Sequence, residues 1–244
     1  MLQLGITVVE HWQTIIVIWK RGIAYIHHLI IISTDGNVPP MKFTSDDLQQ
    51  LDTRYRAAFA NSLTGFKAAN LVGSVDSAGN HNLAIMSSAV HLGSHPFLIG
   101  LVLRPSDAGQ HTLENILELG SYTLNHVHES FYQAAHQTAA RYPRGVSEIE
   151  AVGLTARMME GFPAPFVAES SIRLGLELRE HHPLAINGTH LLIGEVVLVD
   201  VPDESVAEDG SVDLAASGTV TISGLDSYHR VQHLGRLPYA KPNL

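Results

Sequence analysis

The longest paired pattern in the chain is also its tightest constraint. "SSIRLGLELREHHPL" (170–184) and "THLLIGEVVLVDVP" (189–202) both read as long extended strands, with a turn signal between them at Asn187-Gly188. A connection that short cannot carry a crossover, so the two strands run antiparallel. A doubly wound parallel sheet is thereby disfavoured.

The remaining segments follow the same pattern. "ANLVGSVDSAGNHNLAIMSSAV" reads as strand, turn, strand, with the turn at Ser77 to Asn80. "HPFLIGLVLRP" is a further strand stopped by Arg104-Pro105, and "SYTLNHV" is another. Single helices fall between these strands. Thr44 with Asp47 is a capping pair that opens a helix, and Leu48, Leu51, Tyr55 and Phe59 then share one helical face. "HTLENILELG" predicts a helix with Thr112 as N-cap, Leu113, Ile116 and Leu117 buried, and Gly120 as the stop. "ESFYQAAHQTAARYP" and "GVSEIEAVGL" predict two shorter helices. Strand and helix do not alternate regularly, so the expected fold is mainly β, a mostly antiparallel barrel with peripheral α-helices.

Composition narrows the function. The 244 residues carry 15 Lys and Arg against 24 Asp and Glu, a formal charge of -9, and no basic cluster, which argues against a nucleic-acid partner. A few basic groups can still serve one phosphate locally. The absence of cysteine excludes disulfides, thiol nucleophiles and sulfur-ligated metal centres, and it fits a reducing cytoplasm. In "TIIVIWKRGIAYIHHLIIIS" (14–33), Lys20, Arg21, His27 and His28 interrupt the apolar residues. Neither run approaches the roughly 20 residues a membrane span needs, so no membrane partner is expected. The basic residues also sit in the middle, unlike those of a signal peptide. Two readings fit residues 1–40: an accessory hairpin, or an extension upstream of a natural start at Met41. A main domain is expected over 41–244.

No Gly-rich dinucleotide fingerprint, phosphate loop, nucleophile elbow or metalloprotease helix occurs. The 15 histidines form no coherent ligand set with carboxylates, so no metal site is expected. The stretch from Ser87 to Asn115 carries more chemistry. Ser87 and Ser88 end a strand, Arg104 ends the next, and His111 and Thr112 open a helix. A helix N-terminus, hydroxyl donors and a forked guanidinium together suit one phosphate monoester. Equally, each residue could serve locally, as a strand-end hydroxyl, a solvated arginine and a helix cap.

The order of five segments resembles the flavin reductase-like family, the FMN-binding split-barrel proteins. These are "RYRAAFANSLTGFKAANLVGS", "HNLAIMSSAVHLGSHPFLIGLVLRP", "HTLENILELGSYTLNHV", "NGTHLLIGEVV" and "GLDSYHRVQHLGRLPYAKP", spread over residues 41–244. The resemblance implies a Greek-key split β-barrel that forms a homodimer with flavin near the subunit interface. It implies that Asn82, Leu83, Ala84, Ser87 and Ser88 face the flavin and its phosphate side. Arg104, His111 and Thr112 match the family's second phosphate-contacting segment, and His136 and Thr138 fall in a further cofactor-adjacent one. Tyr228 and Arg236 match its C-terminal pattern.

The implied activity is hydride transfer from NADH or NADPH to FMN, with free flavin, a metal chelate or a partner oxygenase receiving the electrons. No proton-transfer residue is required for that step, because the cofactor carries the reaction. Two alternatives stay open: a flavin carrier or sensor without turnover, and a related split barrel holding haem, deazaflavin or a pyridoxal-phosphate-type ligand. For haem, His91, His95 or His126 would be the axial ligand.

Overall fold

The computed structural model describes residues 41–105 and 111–242, with the backbone of three further strands, Ile6–Thr7, Ile15–Trp19 and His28–Ile32. The chain divides into two compact units, Met1–Arg56 and Ala57–Leu244.

In the first unit, Ile15–Trp19 pairs antiparallel with His28–Ile32. The reading of Met41 as a natural start falls on residues that otherwise lie outside the described ones. Thr44 opens the helix Ser45–Gln50 with a reciprocal capping box, its N–H donating to Asp47 Oδ2 at 2.8 Å. The continuous face of Leu48, Leu51, Tyr55 and Phe59 does not form. Asp52 interrupts it: its Oδ1 accepts from the N–H groups of Arg54 and Tyr55, at 2.9 and 3.2 Å, and starts a second helix at Thr53–Leu63. A short polar side chain that bonds nearby backbone donors ends one helix and caps the next.

The second unit is built on a seven-stranded antiparallel sheet. In spatial order its strands are His81–Met86, Asn70–Val75, Ser121–His126, Arg173–Leu184, Thr189–Asp200, Phe97–Leu103 and Ala89–Ser94. The long hairpin lies near the middle, with register shifts at Gly175/Leu176 and Leu178/Glu180 that add local twist. The two edge strands, His81–Met86 and Ala89–Ser94, are consecutive in sequence and separated only by Ser87 and Ser88. Two residues cannot span an open sheet of seven strands spaced by about 4.8 Å. The sheet therefore curls until its edges meet, which makes a barrel with a split along that seam.

Alternation distributes the side chains between two cores. Leu71 and Leu83 join Val127, Phe131 and Ile149 beneath the short helices. Val72, one residue along, joins Leu101, Tyr122, Leu124, Leu176 and Leu192 inside the barrel. Helix His111–Leu119 adds Leu113 and Ile116 to that inner cluster and ends where Gly120, at φ +70°, donates to Ile116 O at 2.8 Å. Two expectations for this helix need correction. Leu117 is 44% exposed, because the barrel takes only a narrow stripe of the helix. Thr112 lies inside the first turn rather than at the cap, since His111 is already helical.

A three-stranded sheet of Lys67–Ala68, Thr221–Ser223 and Ser227–His229 flanks the barrel. The two short helices are Tyr132–Gln137 and Glu148–Ala151, where the sequence predicts them. Among the described residues no helix is long and apolar enough to cross a membrane.

Candidate functional site

An edge strand leaves backbone N–H groups without ladder partners, and here side chains take them. Leu83 N–H donates to Glu148 Oε2 at 2.9 Å, and Ile85 N–H to Thr138 Oγ1 at 3.0 Å. The covered strand forms one wall of a cleft of about 1100 Å³. Asn82, Ala84, Ser87, Ser88, Arg104, His111, Thr112, His136 and Thr138 all line it. Residues far apart in sequence are thus brought to one surface. Leu83 is the exception. Its side chain is fully buried in the core under the short helices and its N–H donates to Glu148, so it does not line the cleft.

The hydroxyls divide into committed and available ones. Ser88 Oγ donates to Val102 O at 2.6 Å, which holds the corner between the two edge strands. Its proton is thus directed to the protein, while the residue still lines the cleft. Thr138 Oγ1 is also used twice, accepting from Ile85 N–H and donating to Ala135 O at 2.8 Å. Ser87 makes no side-chain hydrogen bond to another described residue and stands half-buried on the cleft wall. Thr112 is buried, and its Oγ1 accepts from Asn82 Nδ2 at 2.9 Å. That bond leaves the hydroxyl proton of Thr112 for another acceptor.

Charge is unevenly spread around the cleft. Arg104, Arg141 and Lys67 line it, and neither arginine pairs with a carboxylate of the described residues. Lys67 Nζ donates to Asn61 O and Thr64 Oγ1, both neutral, at 2.8 and 2.9 Å. Glu148 is the lining carboxylate, buried and bonded to Leu83 N–H. Sequence reasoning missed Lys67, Arg141 and Glu148, which reach the cleft through tertiary packing and carry no local motif. On another part of the wall His136 Nδ1 lies 3.0 Å from Tyr228 Oη, and burial pushes the phenol up to about 12. Arg236 is elsewhere, paired with Asp209 at 2.6 Å.

None of His91, His95 and His126 lines the cleft, which removes the geometric basis for an axial haem ligand there. His91 packs edge-on against Phe97, and His126 is half-buried beside Thr219. No group of three or more His, Asp or Glu side chains suited to a metal ion occurs among the described residues.

Residues 65–216 match the family described as flavin reductase like domain, more than half of the chain. This chain belongs to the flavin reductase-like family. It is similar to a candidate flavin reductase with a split-barrel domain from Shewanella frigidimarina NCIMB 400, at 51% identity and a TM-score of 0.79, over 82% of this chain and 100% of that one. An uncharacterized protein from Halalkalibacterium halodurans is 32% identical over 145 residues, 57% of this chain and 69% of its own. Nitrilotriacetate monooxygenase component B from Bacillus cereus, at 22% identity, has the same fold with a TM-score of 0.73 over 82% of this chain and 100% of that one. The curled sheet, with its seam at Ser87 and Ser88, is the split barrel of the flavin reductase-like fold.

Proposed function

We propose that this flavin reductase-like protein is an oxidoreductase that binds FMN in the cleft and uses NADH or NADPH as its electron donor. One observation carries the reading: the cleft of a chain with a formal charge of -9 gathers arginines without carboxylate partners among the described residues, beside hydroxyls and a helix N-terminus. That donor set fits a phosphate monoester, and the 51% identical relative supports a flavin as its bearer. The volume exceeds the roughly 300–1,000 Å³ of ordinary small-molecule pockets, so a second planar group has room beside a ring system.

Arg104 would grip phosphate oxygens with its fork, the Thr112 and Ser87 hydroxyls would donate to them, and N–H groups at the start of His111–Leu119 would add their partial positive charge. Ala84, with its small side chain on the same wall, leaves space for a flat ring. His136 and Tyr228 close another side as a hydrogen-bonded couple. The residues named here would hold FMN, which when bound would supply the redox chemistry of hydride transfer from a nicotinamide.

Exposed apolar side chains on the Ala89–Ser94 edge (Val90, Leu92) and in the C-terminal segment (Leu234, Leu237, Tyr239) support a homodimer. An oxygenase or free flavin is the proposed electron acceptor, and the cysteine-free composition supports work in the cytoplasm.

The test is an absorbance spectrum of the purified protein after FMN is added and the excess removed, followed by anaerobic NADH or NADPH. Retained flavin bands that bleach are expected. A colourless protein that retains no FMN overturns the reading, and retained flavin that neither nucleotide bleaches leaves a carrier or sensor. Replacing Arg104 and Thr112 together by Ala and Val removes two charge-assisted bonds and should raise the Kd for FMN by about 100-fold or more.

A further inference from the structure

We infer that Asn82 is a positioning residue: its amide locks the Thr112 hydroxyl as a donor and thereby makes the cleft select a phosphorylated flavin over the same flavin without phosphate. The inference rests on the function proposed above and goes beyond it, because Asn82 then acts through Thr112 rather than as a contact of its own.

Asn82 is buried on the strand His81–Met86, directly opposite Ser74 in the register of its neighbour. Its Nδ2 has two protons, and both are committed, one to Thr112 Oγ1 at 2.9 Å and one to Ser74 Oγ at 3.3 Å. Ser74 is fully buried and also accepts from Asn115 Nδ2 at 3.2 Å. Asn115 stands one helical turn after Thr112. The Asn82 amide is therefore held on both sides, by the neighbouring strand and by the helix that carries Thr112. An amide nitrogen can only donate in such a bond, so Thr112 Oγ1 must accept on that side. Its proton is turned elsewhere, no described residue takes it, and Thr112 lines the cleft.

A phosphate near neutral pH offers mostly acceptors and needs donors around it. A hydroxyl free to rotate could present either its proton or its lone pairs. The amide removes that choice, and because it does not titrate, the donor stays presented across the working pH range. A flavin without phosphate gains nothing from the lock.

The experiment compares the Kd for FMN with that for riboflavin in wild-type protein and in three variants. Asn82→Asp keeps the shape but turns the donor into an acceptor, so Thr112 would donate inward and show lone pairs to the phosphate. Its FMN Kd should rise by about 10- to 100-fold while the riboflavin Kd moves less than about threefold. Asn82→Ala should show a smaller effect of the same selectivity. On a Thr112→Val background, Asn82→Ala should have no further effect on FMN, a result that a merely structural role would not produce. Riboflavin binding reports that each variant remains folded. Equal losses for both flavins, an unchanged FMN Kd in Asn82→Asp, or a full effect of Asn82→Ala on the Thr112→Val background overturns the inference. A wild-type protein that binds neither flavin overturns instead the function proposed above.

Discussion

Tyr122 shows how a single residue constrains its neighbours. It is fully buried in the barrel core, its hydroxyl has no hydrogen-bond partner among the described residues, and burial holds its pKa far above the usual phenol value. Gly194, on the facing strand of the long hairpin, leaves room for that ring. A Cβ at 194 would stand 2.2 Å from the Tyr122 hydroxyl oxygen, well inside van der Waals contact. Gly194→Ala should therefore destabilise the fold by about 1–3 kcal/mol, as overpacking of a close-packed core does. Tyr122→Phe removes an unpaired buried hydroxyl and should be neutral or stabilising. In that background Gly194→Ala should cost less, because the nearest clashing atom is gone. A double-mutant cycle in urea measures the coupling, and strict additivity would disprove it.

At the scale of the element, the His81–Met86 strand is an edge protected by side chains rather than by another strand. Thr138 is the clearest example, since one hydroxyl joins Ile85 N–H to Ala135 O and so ties the edge to the end of the Tyr132–Gln137 helix. Thr138→Ala leaves the part-buried Ile85 N–H without its acceptor, while Ala135 O keeps its bond from the Thr138 N–H, and should cost about 1–3 kcal/mol. The loss should appear as faster amide hydrogen exchange at Ile85, with Thr138→Ser restoring protection. Unchanged exchange at Ile85 in the Ala variant would show that the edge is held by other contacts. The helix ends show the same competition from the sequence side. The capping box at Thr44 is legible because its partners are three residues apart, whereas the break at Leu51 turns on Asp52 competing for backbone donors. A pattern of apolar spacing alone does not register that competition.

For the molecule as a whole, acid stability is set in part by His126. Burial lowers its pKa from 6.5 to about 4. The unfolded chain binds this proton near pH 6.5 and the folded chain only near 4. The associated stability is thus fully present above pH 6.5 and is lost as the pH falls toward 4. The integrated contribution is about 3 kcal/mol. Urea midpoints measured between pH 7 and 4 should fall for the wild-type protein, and His126→Gln should fall less steeply over the same window. Equal slopes in the two proteins would assign the acid limb to carboxylates instead.

What the sequence determined by itself is what short-range chemistry controls. The long hairpin, its antiparallel sense, the turn at 77–80, the stop at Gly120 and the mainly β character all follow from alternation, turn residues and caps within a few positions of each other. The ordering of Ser87, Ser88, Arg104 and Thr112 toward one cleft was legible too, through strand ends and a helix start. Only the tertiary structure decided which polar group is committed to the protein and which is left for a ligand. Ser88 is spent on Val102 O, Leu83 N–H on Glu148 and Thr138 on Ile85, whereas Thr112 keeps a proton because Asn82, thirty residues earlier, donates to it. A hydrogen bond is a property of two groups in contact, and when the sheet's curl brings them together, the identity of either one does not name its partner.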